Sequence, residues 1–377
     1  MKVLHLHKLT GVSGSEGHLL ALLPALRALG VDARFLGLNV AGTDAHRFYE
    51  ALDELGVPHA SVRCRRDISP RMARDVIRAV RAQQPDLLHT HLVHADVYGA
   101  LSALRLRLPY VSTRHNDDRY LLGPFRYVDR AFARGADRLI AISDAVRRFL
   151  EEAGHDPRKL VTIRYGLDAI PATASDPTPA AHGIPPDAPL ALAIGRLIEQ
   201  KDHATLLRAF ALVHESRPEA RLAILGSGPL EAATRALARE LGVEGAIALP
   251  GRTAPRDWLA RADVFVHTSR WEGFGIVLLE AMLASLPVVG TRVSAVPEVV
   301  VDGETGVLAD AGDAAAIAGA LGALLDDPDR ARALGQAGRR RAREEFSVAS
   351  MAERTRAVYE EALSSGTSGG VVEPPRN

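Results

Sequence analysis

Cysteine is nearly absent from this chain. Cys64 is the single one in 377 residues, which excludes an intramolecular disulfide and any metal site built on several thiolates. That scarcity fits a reducing compartment, and a cytoplasmic protein is expected. Aromatic residues make up only 5%, with no interleaving of basic and aromatic side chains, so no nucleic-acid partner is expected. No run of about 18 apolar residues long enough to span a bilayer occurs. The opening Met1-Lys2-Val3-Leu4-His5-Leu6 is too short an apolar run for a secretory signal and reads as a first strand. Net charge is absent too, since 46 Lys+Arg balance 46 Asp+Glu. The balance is uneven along the chain. Residues 1–168 hold 25 basic against 19 acidic side chains, net +6, and residues 169–377 hold 21 against 27, net −6. A basic front half suits an anionic ligand or surface. Lysine is scarce in the second half, where Lys201 stands alone among twenty arginines.

What is present is a regular alternation of short apolar runs with amphipathic helical stretches, the pattern of parallel sheets built from βαβ units. Strands are predicted at residues 3–6, 33–38, 86–89, 110–113, 138–142 and 160–163, with helices at 17–29 and 70–83 among the connections. Pro24 is expected to kink the first helix or delay its start. A segment dense in Pro, Ala and Thr follows, which holds neither ladder nor helix and reads as a linker over 169–188. The pattern then restarts, with strands at 190–194, 221–225, 246–249, 264–267 and 287–289. At 377 residues two domains are comfortable. We therefore expect an α/β chain of two Rossmann-like, doubly wound domains facing across a cleft, covering 1–168 and 189–346. Residues 347–364 form a helix, and 365–377, rich in Ser and Gly, read as a disordered tail. Ligands of such sheets bind at the C-terminal strand ends.

Several loops at those ends carry chemistry. Trp271-Glu272-Gly273-Phe274-Gly275-Ile276-Val277-Leu278-Leu279-Glu280 sets two carboxylates seven residues apart around a glycine turn that enters a helix. The glycines admit a close ligand, and the helix start offers unpaired N–H groups. Carboxylates suit sugar and ribose hydroxyls. Gly195-Arg196-Leu197-Ile198-Glu199-Gln200-Lys201-Asp202 follows a strand and places two cations where a diphosphate could be clamped. Gly226-Ser227-Gly228-Pro229 is weaker evidence of nucleotide binding, and Pro250-Gly251-Arg252 follows the next strand. In the front half, Gly11-Val12-Ser13-Gly14 precedes a helix, and His115 lies just beyond a strand end.

In this order the segments resemble the retaining glycosyltransferase family that includes glycogen synthase, with its Glu-x7-Glu donor motif and GT-B architecture. The resemblance runs from Gly11 to Gly306. It implies that Arg196 and Lys201 hold the donor diphosphate, and that Glu272, with the N–H groups of Phe274 and Gly275, holds donor-sugar hydroxyls. Glu280 would hold the ribose. Gly14, Gly195, Gly251, Arg252, Ile276 and Val277 complete the donor contacts, and His115 faces the transferring centre, giving catalytic candidates His115, Arg196, Lys201 and Glu272. The closing segment, Gly290 to Glu298 and then Asp302 to Gly306, corresponds to the family's strand-loop and hairpin-like turn, with an architectural role. The helix at 347–364 would return to the first domain. A hexose moves from a nucleotide-diphosphate donor, UDP-sugar by family frequency, to a hydroxyl of a small-molecule, glycan or lipid acceptor. No cofactor or metal is expected, and no Asp-x-Asp stands at a strand end. Two departures occur: Asp202 replaces a usual glycine, and Tyr165 replaces a usual asparagine.

Competing readings are a GT-B nucleotide-sugar epimerase and a non-catalytic nucleotide-sugar-binding protein. A NAD(P) dehydrogenase lacks its Gly-x-Gly-x-x-Gly loop. A zinc site on His89, His91 and His94 has no fourth ligand or nearby cysteine and is not favoured. The Arg71, Arg74, Arg78 and Arg81 stripe, with Arg63, Arg65 and Arg66 upstream, could meet anionic lipid heads. It is read instead as a solvated face opposite Met72, Val76, Ile77 and Val80.

Overall fold

The computed structural model describes residues 1–9, 14–40, 45–64, 69–117, 122–170 and 178–367. The chain divides into two compact units, one formed by Met1–Gly166 with Val348–Asn377 and the other by Leu167–Ser347.

The first unit is a seven-stranded parallel sheet of β1 (Lys2–Leu9), β2 (Asp32–Val40), β3 (His59–Cys64), β4 (Leu87–His91), β5 (Tyr110–Arg114), β6 (Arg138–Ala141) and β7 (Leu160–Thr162). The order is β3-β2-β1-β4-β5-β6-β7. Chain direction across the sheet reverses between β1 and β4, the crevice where such sheets take ligands. Register pairs His5 with His89 and His7 with His91. Because side chains alternate along a strand, these four imidazoles lie on one face. β3 was not expected from sequence. It is a half-exposed edge strand, His-Ala-Ser-Val-Arg-Cys, with too few apolar residues to announce itself.

The helix Gly14–Ala28 begins ten residues before Pro24, so the proline does not delay its start. It buries Leu19, Leu22, Leu23 and Leu26 in the same core as Met351, Ala352, Val358, Tyr359 and Ala362 of the helix Val348–Thr367. Those residues recur at helical spacing, so the last helix carries one apolar stripe, and that stripe is buried in the first unit.

The second unit is a six-stranded parallel sheet of β8 (Leu190–Ile194), β9 (Arg221–Leu225), β10 (Ile247–Gly251), β11 (Val264–His267), β12 (Val288–Thr291) and β13 (Gly306–Ala309). Its order is β10-β9-β8-β11-β12-β13, with the reversal between β8 and β11. The expected turn at Asp302–Gly306 is present, closed by the Gly303 N–H donating to the Gly306 carbonyl at 2.8 Å. It leads into β13, a strand not expected from sequence that pairs with β12 in parallel. The connection runs through a one-turn helix, Val296–Val299, and a turn in which Asp302 Oδ1 accepts the Leu308 N–H at 2.9 Å. Part of the proline-rich segment is also ordered, as a 3-10 turn at Pro179–His182 with proline in its first position. Proline is compatible there because a helix start leaves that N–H unpaired anyway. The last helix runs to Thr367, so residues 365–367 of the tail expected at 365–377 are helical; residues 171–177 and 368–377 lie outside the described residues. No described helix is long and apolar enough to cross a membrane.

Candidate active site

On one side of the reversal point of the second sheet, the loops at the ends of β8, β9 and β10 are laced together. The Gly195 N–H donates to the Leu225 carbonyl at 2.9 Å, the Leu197 N–H to that of Ser227 at 3.0 Å, and the Gly226 N–H to that of Gly251 at 2.7 Å. The approach is close enough to demand glycine. A Cβ on Gly226 (φ +142°) would sit 2.0 Å from the Gly195 carbonyl oxygen, and one on Gly228 would sit 2.4 Å from that of Leu197. Gly226 and Gly228 therefore act as packing residues that hold the Gly195–Lys201 loop in place.

After Gly195 the chain forms a 3-10 turn, Glu199–Lys201, and then the helix His203–Ser216. Asp202, the residue in place of a usual glycine, adopts the left-handed conformation (φ 47°, ψ 49°) and caps that helix. Aspartate tolerates this region better than most residues. Its carboxylate also accepts from Thr205 Oγ1 at 2.8 Å and Arg270 Nε at 3.1 Å, which offsets the backbone strain.

On the neighbouring strand, β11 ends at His267 and the chain turns through residues 268–275 into the helix Ile276–Leu283. Gly275 (φ +83°) makes the last step, and a Cβ there would lie 2.9 Å from Leu278 Cδ1 and 3.2 Å from Glu272 Cγ. Among the described residues, the N–H groups of Gly275, Ile276 and Val277 donate to no protein group. They form an anion- and hydroxyl-binding edge at the helix start. The Phe274 ring is buried against Phe346, with centroids 5.7 Å apart, so it fastens the turn.

Glu272 is the centre of this unit's site. Its Oε2 accepts from Lys201 Nζ, from His267 Nε2 at 3.1 Å and from Ser269 Oγ at 3.3 Å. Oε1 is bonded to no described group. Burial alone would raise the carboxyl pKa, but the Lys201 charge and the His267 hydrogen bond override it and hold Glu272 well below the usual range. Burial pushes His267 down despite the same carboxylate, so it serves Glu272 as a neutral donor. Glu280 differs. Its carboxyl group has no hydrogen-bond partner among the described residues, and burial pushes its pKa up to about 7. Arg196 is exposed, and its carbonyl accepts from His203 Nε2 at 3.1 Å. Gly251 (φ +78°) has open space where a Cβ would stand, and Arg252 is exposed beside it.

Glu280 gives a pH-dependent expectation. Ribose hydroxyls donate to a carboxylate and so favour its charged form, whereas the empty site favours the protonated form. Binding of a nucleoside diphosphate then releases a proton, and affinity rises with pH up to and through about 7 before levelling off. Titration calorimetry between acidic and mildly alkaline buffers should show this slope in the wild type and a shallower one, set by the ligand's own terminal phosphate, in Glu280→Gln.

The first unit holds the remaining site candidates. Gly14 is the exposed first residue of its helix, and Gly11, Val12 and Ser13 lie outside the described residues. His115 is 6% exposed. Its Nε2 lies 3.0 Å from His91 Nδ1, and its Nδ1 meets the Tyr165 hydroxyl, so both ring nitrogens are engaged within the unit. His94 does not join His89 and His91; His5 does, and donor atoms of these three lie within 4.8 Å of one another. Arg74, Arg78 and Arg81 line an open groove of about 720 Å³ with Arg105, Ile77 and Leu101, while Met72, Val76 and Val80 face the core. Arg65 and Arg66 lie outside the described residues.

A family model described as glycosyl transferases group 1 matches residues 175–341, and one described as glycosyltransferase family 4 matches residues 12–169. Alpha-maltose-1-phosphate synthase of Mycobacterium tuberculosis (strain H37Rv) is 31% identical to this chain, over 92% of it and 95% of the relative. The chain belongs to the group 1 glycosyltransferases. D-inositol 3-phosphate glycosyltransferase of Streptomyces scabiei is 32% identical over 74% of the chain and 68% of the relative. In fold, this glycosyltransferase is similar to Anabaena HepE in complex with UDP-glucose, with a TM-score of 0.81 at 22% identity over 96% of this chain and 99% of that one. Sucrose-phosphate synthase from Thermosynechococcus elongatus gives 0.78 at 21% identity, over 97% and 100%.

Sequence reasoning passed over two residues of this glycosyltransferase's second unit, His267 and Ser269, which anchor Glu272. The available signal was an apolar strand ending in histidine immediately before the glutamate turn. It also assigned no role to Tyr165, whose hydroxyl meets His115.

Proposed function

We propose that this glycosyltransferase is a retaining, metal-independent hexosyltransferase that uses a nucleoside-diphosphate sugar, with UDP as the nucleotide, and a small phosphorylated hydroxyl compound as acceptor. The observation that carries the reading is Glu272. It is a charged carboxylate with one oxygen fixed by three donors and the other open, beside a lysine and a helix start with unpaired N–H groups. Glu272 Oε1 accepts from donor-sugar hydroxyls, Glu280 from the ribose, and the Gly275–Val277 edge with Lys201 and Arg196 receives the diphosphate. His115 takes the role of hydrogen-bonding a sugar hydroxyl that the family resemblance implies for it.

In the transfer step the bond from the anomeric carbon to the β-phosphate oxygen breaks. The bond to the acceptor oxygen forms on the same face, and the acceptor's proton passes to the departing phosphate oxygen. Negative charge develops on the diphosphate, and the fixed cations meet it without a metal. The printed names of relatives support the substrate classes: HepE holds UDP-glucose, and the two curated relatives are named for maltose 1-phosphate and inositol 3-phosphate. The net +6 of residues 1–168 suits such an anionic acceptor.

The test is incubation in EDTA with UDP-glucose and GDP-mannose, each with glucose 1-phosphate or inositol phosphate, reading product configuration by proton NMR. An α-linked product made without metal is expected. A β-linked product, a strict metal requirement, or an epimerised donor formed without acceptor would overturn the reading.

A further inference from the structure

Behind His115, buried polar groups of the first unit form one unbranched hydrogen-bonded chain. His115 Nε2 lies 3.0 Å from His91 Nδ1, and His91 Nε2 lies 3.0 Å from His5 Nδ1. His5 Nε2 is 3.3 Å from the Tyr359 hydroxyl, which is 2.7 Å from His89 Nδ1. His89 Nε2 is 2.7 Å from Thr113 Oγ1. At the other end His115 Nδ1 meets the Tyr165 hydroxyl. The residues come from β1, β4, β5 and the last helix, so the chain depends on the β1–β4 register and on the docking of Tyr359. Burial pushes all four imidazoles down in pKa, and each is neutral, with one N–H and one bare nitrogen. Each link needs one donor and one acceptor, so protons carried through the imidazoles point the same way. Protons could also converge on the Tyr359 oxygen, but that would leave its own buried hydroxyl proton unpaired, so two arrangements remain.

The Thr113 end distinguishes them. If the protons run toward Thr113, His89 Nε2–H donates to Oγ1, and the hydroxyl's own proton, on a residue 2% exposed, has no acceptor among the described residues. A buried donor left unpaired costs free energy that the opposite arrangement avoids at this end. At the other end Tyr165, 4% exposed, has a further interaction beyond His115, whereas Thr113 has none beyond His89 among the described residues. In the opposite arrangement the Thr113 hydroxyl donates to His89 Nε2, His89 Nδ1–H to the Tyr359 oxygen, and the Tyr359 hydroxyl to His5 Nε2. His5 Nδ1–H then donates to His91 Nε2, His91 Nδ1–H to His115 Nε2, and His115 Nδ1–H to the Tyr165 oxygen. Thr113 is buried, so the chain has no exit to water at that end and positions protons rather than conducting them.

We propose that Thr113, His89, Tyr359, His5 and His91 are positioning residues that hold His115 as its Nδ1–H tautomer. His115 thereby presents an N–H donor to the Tyr165 oxygen and to a sugar hydroxyl that takes its place. The sugar contact rests on the function proposed above; the tautomer does not.

The test uses the full-length chain with ¹⁵N-labelled imidazoles, long-range proton–nitrogen NMR at neutral pH, and the variants Thr113→Val and Tyr359→Phe. Wild type should show the Nδ1–H pattern for His5, His89, His91 and His115. In both variants the His115 pattern should become mixed or Nε2–H, and kcat should fall roughly tenfold with donor KM little changed, the mark of an interaction made in the transition state. If Tyr359→Phe does not fold, Thr113→Val decides. The proposal is overturned by an Nε2–H or averaged His115 in the wild type, or by an intact Nδ1–H pattern in either folded variant. Unchanged kcat in a variant whose tautomer has moved would overturn it too, as would stoichiometric metal held by His5, His89 and His91. A wild type that binds no nucleoside diphosphate would sink the functional reading and leave the tautomer result standing.

Discussion

Lys201→Ala is expected to lower glycosyl transfer by roughly 10²- to 10³-fold, the usual scale for losing one fixed group that meets developing charge. Two losses coincide in this variant. The departing diphosphate loses its ammonium partner, and Glu272 loses the charge that holds it ionised in a site where the paired side chains are 13% and 10% exposed. Leaving a buried charge unpaired typically costs about 3–5 kcal/mol. Here the cost should fall near the lower end, because His267 and Ser269 still donate to the carboxylate. Lys201→Arg is a poor substitute, since the lysine stem runs where a Cβ on Gly195 would meet it at 3.3 Å, leaving little width for a planar fork. Glu272→Gln separates the two effects: it leaves Lys201 free for the diphosphate but replaces the charged acceptor of sugar hydroxyls. It should therefore keep nucleoside-diphosphate binding and lose transfer. Steady-state kinetics with thermal denaturation of the same samples would check this, and full transfer activity in Lys201→Ala would refute it.

Gly226→Ala is expected to be among the most damaging single methyl additions in the second unit. Its Cβ would stand 2.0 Å from the Gly195 carbonyl oxygen, a backbone atom that cannot rotate away, and its φ of +142° is itself strained for an L residue. Strain and overpacking together suggest a loss of roughly 3–5 kcal/mol. The displaced loop carries Arg196 and Lys201, so nucleotide binding should weaken with stability. Gly245→Ala is the matched control: nothing lies within 4 Å of its missing Cβ, and a change within about 0.5 kcal/mol is expected. Urea midpoints for the pair measure the difference. Equal midpoints would contradict the packing role assigned to Gly226.

The reach of sequence reasoning follows from what each element needs. β8, β9 and β11 are buried on both faces, and their near-continuous apolar runs were legible to the residue. The edge strand β3 was not, because one side of it meets water and its composition is mixed. β13 was passed over because it is only four residues long and directly follows a glycine turn. In the site, Glu272, Lys201 and Gly275 announced themselves through spacing and backbone demand. His267 and Ser269 did not, since a histidine and a serine at a strand end carry no periodic signal. The histidine chain was beyond reach for another reason. His5, His89 and Tyr359 are far apart in sequence, and only the β1–β4 register and the docking of the last helix bring them together.

The central claim is a metal-free donor site built from Lys201, Glu272 and the start of the Ile276–Leu283 helix. Calorimetric titration of wild type and Lys201→Ala with UDP, GDP and ADP in EDTA tests it most directly. The account predicts micromolar binding of UDP to the wild type and a collapse of that affinity in the variant. Binding that requires a divalent cation, or that survives loss of Lys201 undiminished, would contradict it.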